Sequence, residues 1–202
     1  MGTTTTRLLK SGIRHLIAVL RLYDPPTFRH SQRVAFLACS TGRWLGWDPG
    51  SLRLLAVAGL LHDVGKLAVD REILHKPGRL TGEEWQAIRR HPATGAQLVK
   101  RVTGSSRIAA WVRSHHERWD GAGYPDGLAG PAIPLGSRVL AVADAFDAMV
   151  VGRPYHRRRI TVEAALEEIE HQAGRQFDPE VARAFIAMMN ARAVLRTGPG
   201  GR

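Results

Sequence analysis

Hydrophobic positions along the chain recur at three- and four-residue intervals, the period of an amphipathic helix. Leu9, Ile13, Leu16, Ile17 and Leu20 form one such stripe, interleaved with Arg7, Lys10, Arg14 and Arg21. They predict a first helix that packs on the body of the protein; contact with a partner or a second copy is the sharper reading of the same stripe. After Asp24-Pro25-Pro26, a second helix carries Val34, Leu37 and Ala38 inward. Asp48-Pro49 pairs a capping aspartate with a first-turn proline. The helix it opens, Leu52 to Leu61, is apolar nearly all round, as suits a helix buried on every side. His62-Asp63 closes that helix. Polar groups there need partners, because burying an unpaired charge is costly.

Thr81 and Glu84 have the spacing of a capping box, with Leu80 and Trp85 at staple positions. Pro92 lacks the backbone donor of a helix interior, so the helix should break near His91. A further helix should run to about Val102, and another should span Arg107 to His115. The stretch Glu117 to Pro134 is punctuated by Gly121, Gly123, Pro125, Gly127, Gly130 and Pro131, which predicts a structured loop. Val139, Val142, Ala143, Phe146 and Val150 then set out a helix. Two more are expected near Val162 to His171 and Pro179 to Met189, the second capped by Asp178. With no period-two pattern, repeat or long linker, the expected class is all-α.

The chain has 202 residues, 44% of them hydrophobic and 23% charged. That suits one globular domain with a small extension and a sizeable core, and it excludes disorder as the general state. The expected division is residues 1–23 as the packed amphipathic helix, 24–191 as the main domain and 192–202 as a disordered tail. No apolar run approaches the ~20 residues of a membrane span. Leu16 to Leu20 sits between Arg14 and Arg21 without a signal-peptide layout, so the cytoplasm is the simplest expectation. A single cysteine, Cys39, excludes an internal disulfide and any CxxC zinc site. Twenty-nine Lys and Arg against 18 Asp and Glu give a formal charge of +11 and suggest an anionic partner such as a phosphate ester. The arginines form no stripe, and no helix-turn-helix, zinc-finger or RNA-binding signature accompanies them, so no specific nucleic acid is expected.

Nine histidines change the picture more than charge does. His30, His62, His91, His115 and His116, together with Asp63 and Asp144, fall at or near the ends of several predicted helices. A helical bundle can turn such groups inward onto one site. Mixed His and Asp ligation without cysteine suits iron, manganese, cobalt or nickel as well as zinc. Five imidazoles and two carboxylates exceed the needs of one ordinary site. A shared carboxylate could bridge two metals about 3.5–4 Å apart, the arrangement that clamps both oxygens of an in-line phosphoryl displacement. Such metals also lower the pKa of water that they bind.

The run HHERWDGAGYPDG, His115 to Gly127, resembles the signature of HD-GYP domains, the cyclic di-GMP phosphodiesterase branch of the HD superfamily. HSQRV from His30, LLHDVGK ending at Lys66, KPGRLTGEEW through Trp85, HPATG from His91, VADAFDA from Val142, RPY at Arg153 and FDP at Phe177 extend the match in order. The resemblance covers about Asp24 to Phe185 and implies an all-α HD-superfamily bundle with the HD-GYP extension. His30, His62, Asp63 and Asp144 match the metal set of the superfamily, and His91, His115 and His116 match the ligands added in this branch. Asp63 is the implied bridge between two divalent ions, iron or manganese first.

Further roles follow from the same resemblance. Lys66, paired with Asp63 as the catalytic residues, matches a lysine near the scissile phosphate, where a point charge would stabilise developing negative charge. Gly123, Tyr124 and Pro125 shape the substrate side of the site, and Arg153 is expected to touch the dinucleotide. Asp147, grouped with the substrate side, lies one helical turn from Asp144 and is positioned to orient a ligand. The implied reaction is hydrolysis of cyclic di-GMP to pGpG and onward to GMP. Another cyclic dinucleotide as substrate, or a nucleotide-binding signalling module without turnover, are the alternatives. The chain departs from the pattern in three ways. Pro26 stands where some members carry a glutamate for a third metal, so two metals are expected. After RPY come His156 and the basic run Arg157, Arg158 and Arg159. No receiver or sensory domain is expected from these residues, so regulation is expected through a homodimer or regulatory protein at the first helix.

Overall fold

The computed structural model describes residues 2–151 and 160–197, with side chains from 11 to 151 and from 160 to 193. The side chains of Arg7, Leu9 and Lys10 lie outside that set. Arg153, His156 and Arg157 to Arg159 lie outside the described residues altogether, as do residues 198–202. The described helices are α1 (Gly2–Tyr23), α2 (Pro25–Trp44), α3 (Pro49–Leu61), α4 (Arg71–Leu74), α5 (Gly82–Arg89), α6 (His91–Thr103), α7 (Ser106–Arg113), α8 (Leu135–Val151), α9 (Val162–His171) and α10 (Pro179–Thr197). Two 3-10 turns, Val64–Ala68 and Gly130–Ala132, join them. Among the described residues there is no strand beyond one isolated bridge between Ala173 and Phe177. The fold is all-α.

Local chemistry sets the helix starts. The Asp24 side chain accepts from Thr27 N at 3.1 Å and opens α2. Asp48 accepts from Gly50 N and Ser51 N at the head of α3, with Pro49 in the first turn. Both halves of the capping box form before α5: Thr81 N donates to Glu84, and Glu84 N donates to Thr81 Oγ1. Trp85 nevertheless stays 47% exposed, so the staple position does not bury it. The chain breaks at Arg90, and Pro92 then sits in the first turn of α6, where its missing donor costs nothing.

Helix α3 lies between α2 and α7, with Leu55, Ala58 and Leu61 fully buried. Val34, Val112, Leu140, Val142 and Phe185 close the core around it. Ile13, Leu16 and Ile17 of α1 pack on this core, and Leu20 is fully buried. Among the residues whose side chains are described, the stripe of the first helix thus packs at least partly within the chain. Helix α7 ends at Arg113, two residues short of the expected limit, which leaves His115 and His116 on the turn beyond it. At the far end, residues 192–197 are helical instead of forming a disordered tail. The physical reason is an anchor: the Arg192 guanidinium lies 4.6 Å from the Phe36 ring centre and donates to Ser40 Oγ at 3.3 Å.

The first 3-10 turn presses directly on α6. A Cβ at Gly65 would lie 2.0 Å from His91 O and 2.6 Å from Gly95 N, a contact that only glycine allows. Gly65→Ala is therefore expected to destabilise by about 1–3 kcal/mol through overpacking. Thermal melts check this, at roughly 2–4 °C of Tm per kcal/mol. Gly82→Ala is the control, because nothing lies within 4 Å of a Cβ there.

Candidate metal centre

Five separate segments deliver the imidazoles and carboxylates to one place. His30 comes from α2, His62 and Asp63 from the end of α3, His91 from the first residue of α6, His115 and His116 from the turn after α7, and Asp144 from α8. Three groups have ligand atoms within 4.8 Å of one another: His91, His115 and His116; His30, His62 and Asp144; and His62, Asp63 and His115. Asp63 stands between the first two. Its Oδ1 is 3.2 Å from His91 Nε2, and its Oδ2 is 3.4 Å from His62 Nε2 and 3.9 Å from His30 Nε2. Asp144 Oδ1 lies 2.9 Å from His30 Nε2, and its Oδ2 lies 3.9 Å from His116 Nδ1. All seven side chains named from the sequence meet.

The backbone aims the rings. His62 Nδ1 donates to Gly59 O at 2.8 Å, His91 Nδ1 to Ile88 O at 2.7 Å and His115 Nδ1 to Val112 O at 2.6 Å. A carbonyl can only accept, so each Nδ1 carries the proton and each Nε2 of a neutral ring offers a lone pair inward. His91 Nε2 and His115 Nε2 face each other at 3.4 Å. Burial, helped by His62 and His91, pushes the His115 imidazole down to about 3. Burial, then His115 and His91, holds His116 well below its ordinary value, and burial also lowers His91. These three rings are neutral bases at neutral pH. Burial opposes the charge on Asp63, yet Lys66 and the adjoining imidazoles outweigh it and hold the carboxyl well below its usual range. Among the described residues the buried atoms His62 Nε2 and Asp63 Oδ1 make no hydrogen bond, while His30 Nε2 lies against Asp144 Oδ1. Converging lone pairs, an ionised carboxylate and orphaned buried acceptors fit divalent cations.

Supporting contacts surround the cluster. His30 Nδ1 donates to Asp147 Oδ2 at 2.6 Å, while Arg33 Nε and Nη2 donate to the two oxygens of Asp147 at 2.6 and 2.9 Å. Burial pushes the His30 imidazole down, but Asp144 and Asp147 prevail and raise it to about 9. Both Asp147 oxygens are thus taken by α2. Of its two expected roles, substrate side and orienting a ligand, the geometry matches the second: it orients His30. Asp147→Asn is expected to weaken metal affinity by ~10–100-fold, the usual cost of losing an outer partner of a ligand. Titration with manganese, followed by calorimetry, reads that shift.

Lys66 Nζ is 2.6 Å from Asp63 Oδ2 and borders the cluster. Tyr124 stacks on His116, with ring centres 4.9 Å apart. A Cβ at Gly123 would lie 2.4 Å from Arg118 N, so the loop closes this tightly only with glycine. Glu117 is a residue that sequence reasoning passed over. Buried beside the two histidines, it accepts from Asp126 N at 2.7 Å and Leu128 N at 3.1 Å and ties down the loop around Tyr124 and Pro125. An acid inside an otherwise glycine-rich run was the available signal. Arg33, one turn beyond His30, was also passed over.

A model of the HD domain matches residues 14–181. The chain belongs to the HD domain family. The HD-GYP resemblance stands with it. The chain is 39% identical over 191 residues to the cyclic di-GMP phosphodiesterase response regulator RpfG of Xanthomonas campestris pv. campestris, covering 92% of this chain and 49% of that one. It is 42% identical over 146 residues to the 3'3'-cGAMP-specific phosphodiesterase 1 of Vibrio cholerae, covering 72% of this chain and 34% of that one. This HD domain chain therefore spans about half, or less, of the length of those curated relatives. Its fold resembles the crystal structure of the cyclic GMP-AMP specific phosphodiesterase V-cGAP3 of V. cholerae, with a TM-score of 0.69 and 22% identity over 94% of this chain and 50% of that one. It also resembles the HD domain of the phosphodiesterase PgpH of L. monocytogenes in complex with cyclic-di-AMP, at a TM-score of 0.61 and 16% identity over 90% and 96%.

Proposed function

We propose that this HD domain is a metal-dependent phosphodiesterase that opens cyclic di-GMP to linear pGpG, with two divalent ions held by the seven-residue cluster. The observation that carries the reading is Asp63, an ionised buried carboxylate standing between two three-residue ligand groups. His91, His115 and His116 would hold one ion, and His30, His62 and Asp144 the other, with Asp63 shared; iron and manganese suit this donor set. Bound there, such ions supply Lewis acidity toward phosphate oxygens and acidify water. The chain's own residues do the rest. Backbone carbonyls orient His62, His91 and His115, and Asp147 orients His30. Lys66 places an ammonium beside Asp63, where charge develops on the transferred phosphoryl group. The catalytic unit runs from Asp24 into α10, with α1 packed upon it.

The relative named as 3'3'-cGAMP-specific favours a second reading, in which the hybrid cyclic dinucleotide is the substrate. One experiment addresses both. Protein purified without added metal is analysed for its elements, loaded with manganese or ferrous iron, and given each dinucleotide separately and in competition. Chromatography should reveal pGpG from cyclic di-GMP as the faster product. Preferred turnover of cyclic GMP-AMP transfers the assignment to the second reading. A metal-replete protein that leaves both nucleotides intact overturns the enzyme.

A further inference from the structure

The outer side of the cluster carries a cation that none of the sequence motifs assigned. Arg89 is the last residue of α5, and its guanidinium carbon lies 4.5 Å from the centre of the Tyr124 ring. Tyr124 in turn stacks on His116. The preceding residue, Ile88, gives its carbonyl to His91 Nδ1. Backbone at position 88 therefore fixes one candidate ligand, while the side chain at position 89 crosses to the loop beside another. That double attachment holds Arg89 in register with the cluster.

Three other arginines are committed to carboxylates: Arg33 to Asp147, Arg113 to Asp126 and Arg118 to Asp120. Lys66 is committed to Asp63. Arg89 is exposed and has no ion pair with a carboxylate among the described residues. A guanidinium resting on an aromatic face keeps its in-plane N–H fork free, and that fork matches the oxygens of a phosphate. A cyclic dinucleotide carries two phosphates. With one at the metal cluster, the other must lie outside it.

We infer that Arg89 is a specificity-determining residue that binds the non-scissile phosphate of the cyclic dinucleotide, from its seat on Tyr124. The inference rests on the cyclic-dinucleotide reading given above. It assigns to α5 the task of separating a two-phosphate ring from a simple diester.

Manganese-loaded wild type, Arg89→Ala and Arg89→Lys are compared on cyclic di-GMP and on bis(p-nitrophenyl) phosphate, which has a single phosphate. Arg89→Ala should raise KM for cyclic di-GMP about tenfold, the worth of one charge-assisted contact, with kcat little changed. Arg89→Lys should fall between, since it keeps the charge and loses the fork. Activity on the simple diester should be unchanged in both. The salt dependence of KM for the dinucleotide should flatten in Arg89→Ala, because one ionic contact is gone. Equal losses on the two substrates would mean that Arg89 only supports the cluster, and unchanged KM would mean that it does not touch substrate; either overturns the inference alone. Wild type that cleaves the simple diester and ignores cyclic dinucleotides overturns the substrate reading as well.

Discussion

Asp63→Asn is expected to lose bound metal and diesterase activity together. The substitution keeps the volume of a side chain that is 1% exposed, so packing is nearly conserved. What disappears is the charge. Asp63 Oδ1 lies 3.2 Å from His91 Nε2 and Oδ2 lies 3.4 Å from His62 Nε2, so one carboxylate serves both ligand groups. An amide offers an N–H group on one side and a weaker acceptor on the other. Lys66, whose ammonium is 2.6 Å from Oδ2, is left without its carboxylate. Removing one member of a buried pair costs about 3–5 kcal/mol, and the partial exposure of Lys66 places this case toward the lower end. Turnover should fall by at least ~10²-fold, the scale seen when a single preorganised electrostatic group is lost.

Melting curves separate the two causes of failure. An ion that binds only the folded state raises stability by about 2.7 kcal/mol at a hundredfold excess over its Kd. Wild type should therefore gain Tm on addition of manganese, and Asp63→Asn should gain much less from the same addition. A variant that melts like wild type and still holds two equivalents of metal contradicts the shared role of Asp63.

Much of this architecture was legible because helices announce their ends. Asp24, Asp48, Thr81 and Asp178 are capping residues that also mark boundaries, whereas the stretch from Leu52 to Leu61 is not buried on every side as expected: Leu55, Ala58, Gly59 and Leu61 are buried, Arg53 is exposed and the rest are half-buried. The cluster was legible for a different reason. His and Asp side chains in such number, beside one lone cysteine, have few structural uses, although Asp144 lies mid-way along α8 and His30 inside α2 instead of at helix ends. What escaped reading depends on contacts between distant parts of the chain. Nothing local says that Glu117 reaches the amides of Asp126 and Leu128, or that Arg33 takes both oxygens of Asp147. Asp147 was read as one turn from Asp144 and able to orient a ligand, but a helical turn leaves open which one, and that it meets His30 depends on α2. Residues 192–197 misled in the same way, because their anchor on Phe36 and Ser40 lies far back in α2.

Lys66→Ala and His62→Ala should separate chemistry from metal binding. His62 is fully buried, belongs to two of the three ligand groups, and has its Nε2 aimed inward by the bond from Nδ1 to Gly59 O. Its removal takes a donor from the cluster and opens a cavity, so metal content and turnover should fall together. Lys66 carries an ammonium, which has no lone pair to offer a metal, and it donates to Asp63 Oδ2 at the edge of the cluster. Lys66→Ala should therefore keep its metal while turnover falls by ~10²–10³-fold, because an ammonium aimed at developing charge contributes mainly in the transition state. The split should lie in kcat more than in KM. Combining the two substitutions should cost little beyond His62→Ala, since groups acting as one unit are not additive. Elemental analysis beside steady-state rates on the same preparations decides it: equal metal loss in both single variants would make Lys66 part of the cage and remove its separate role in the chemistry.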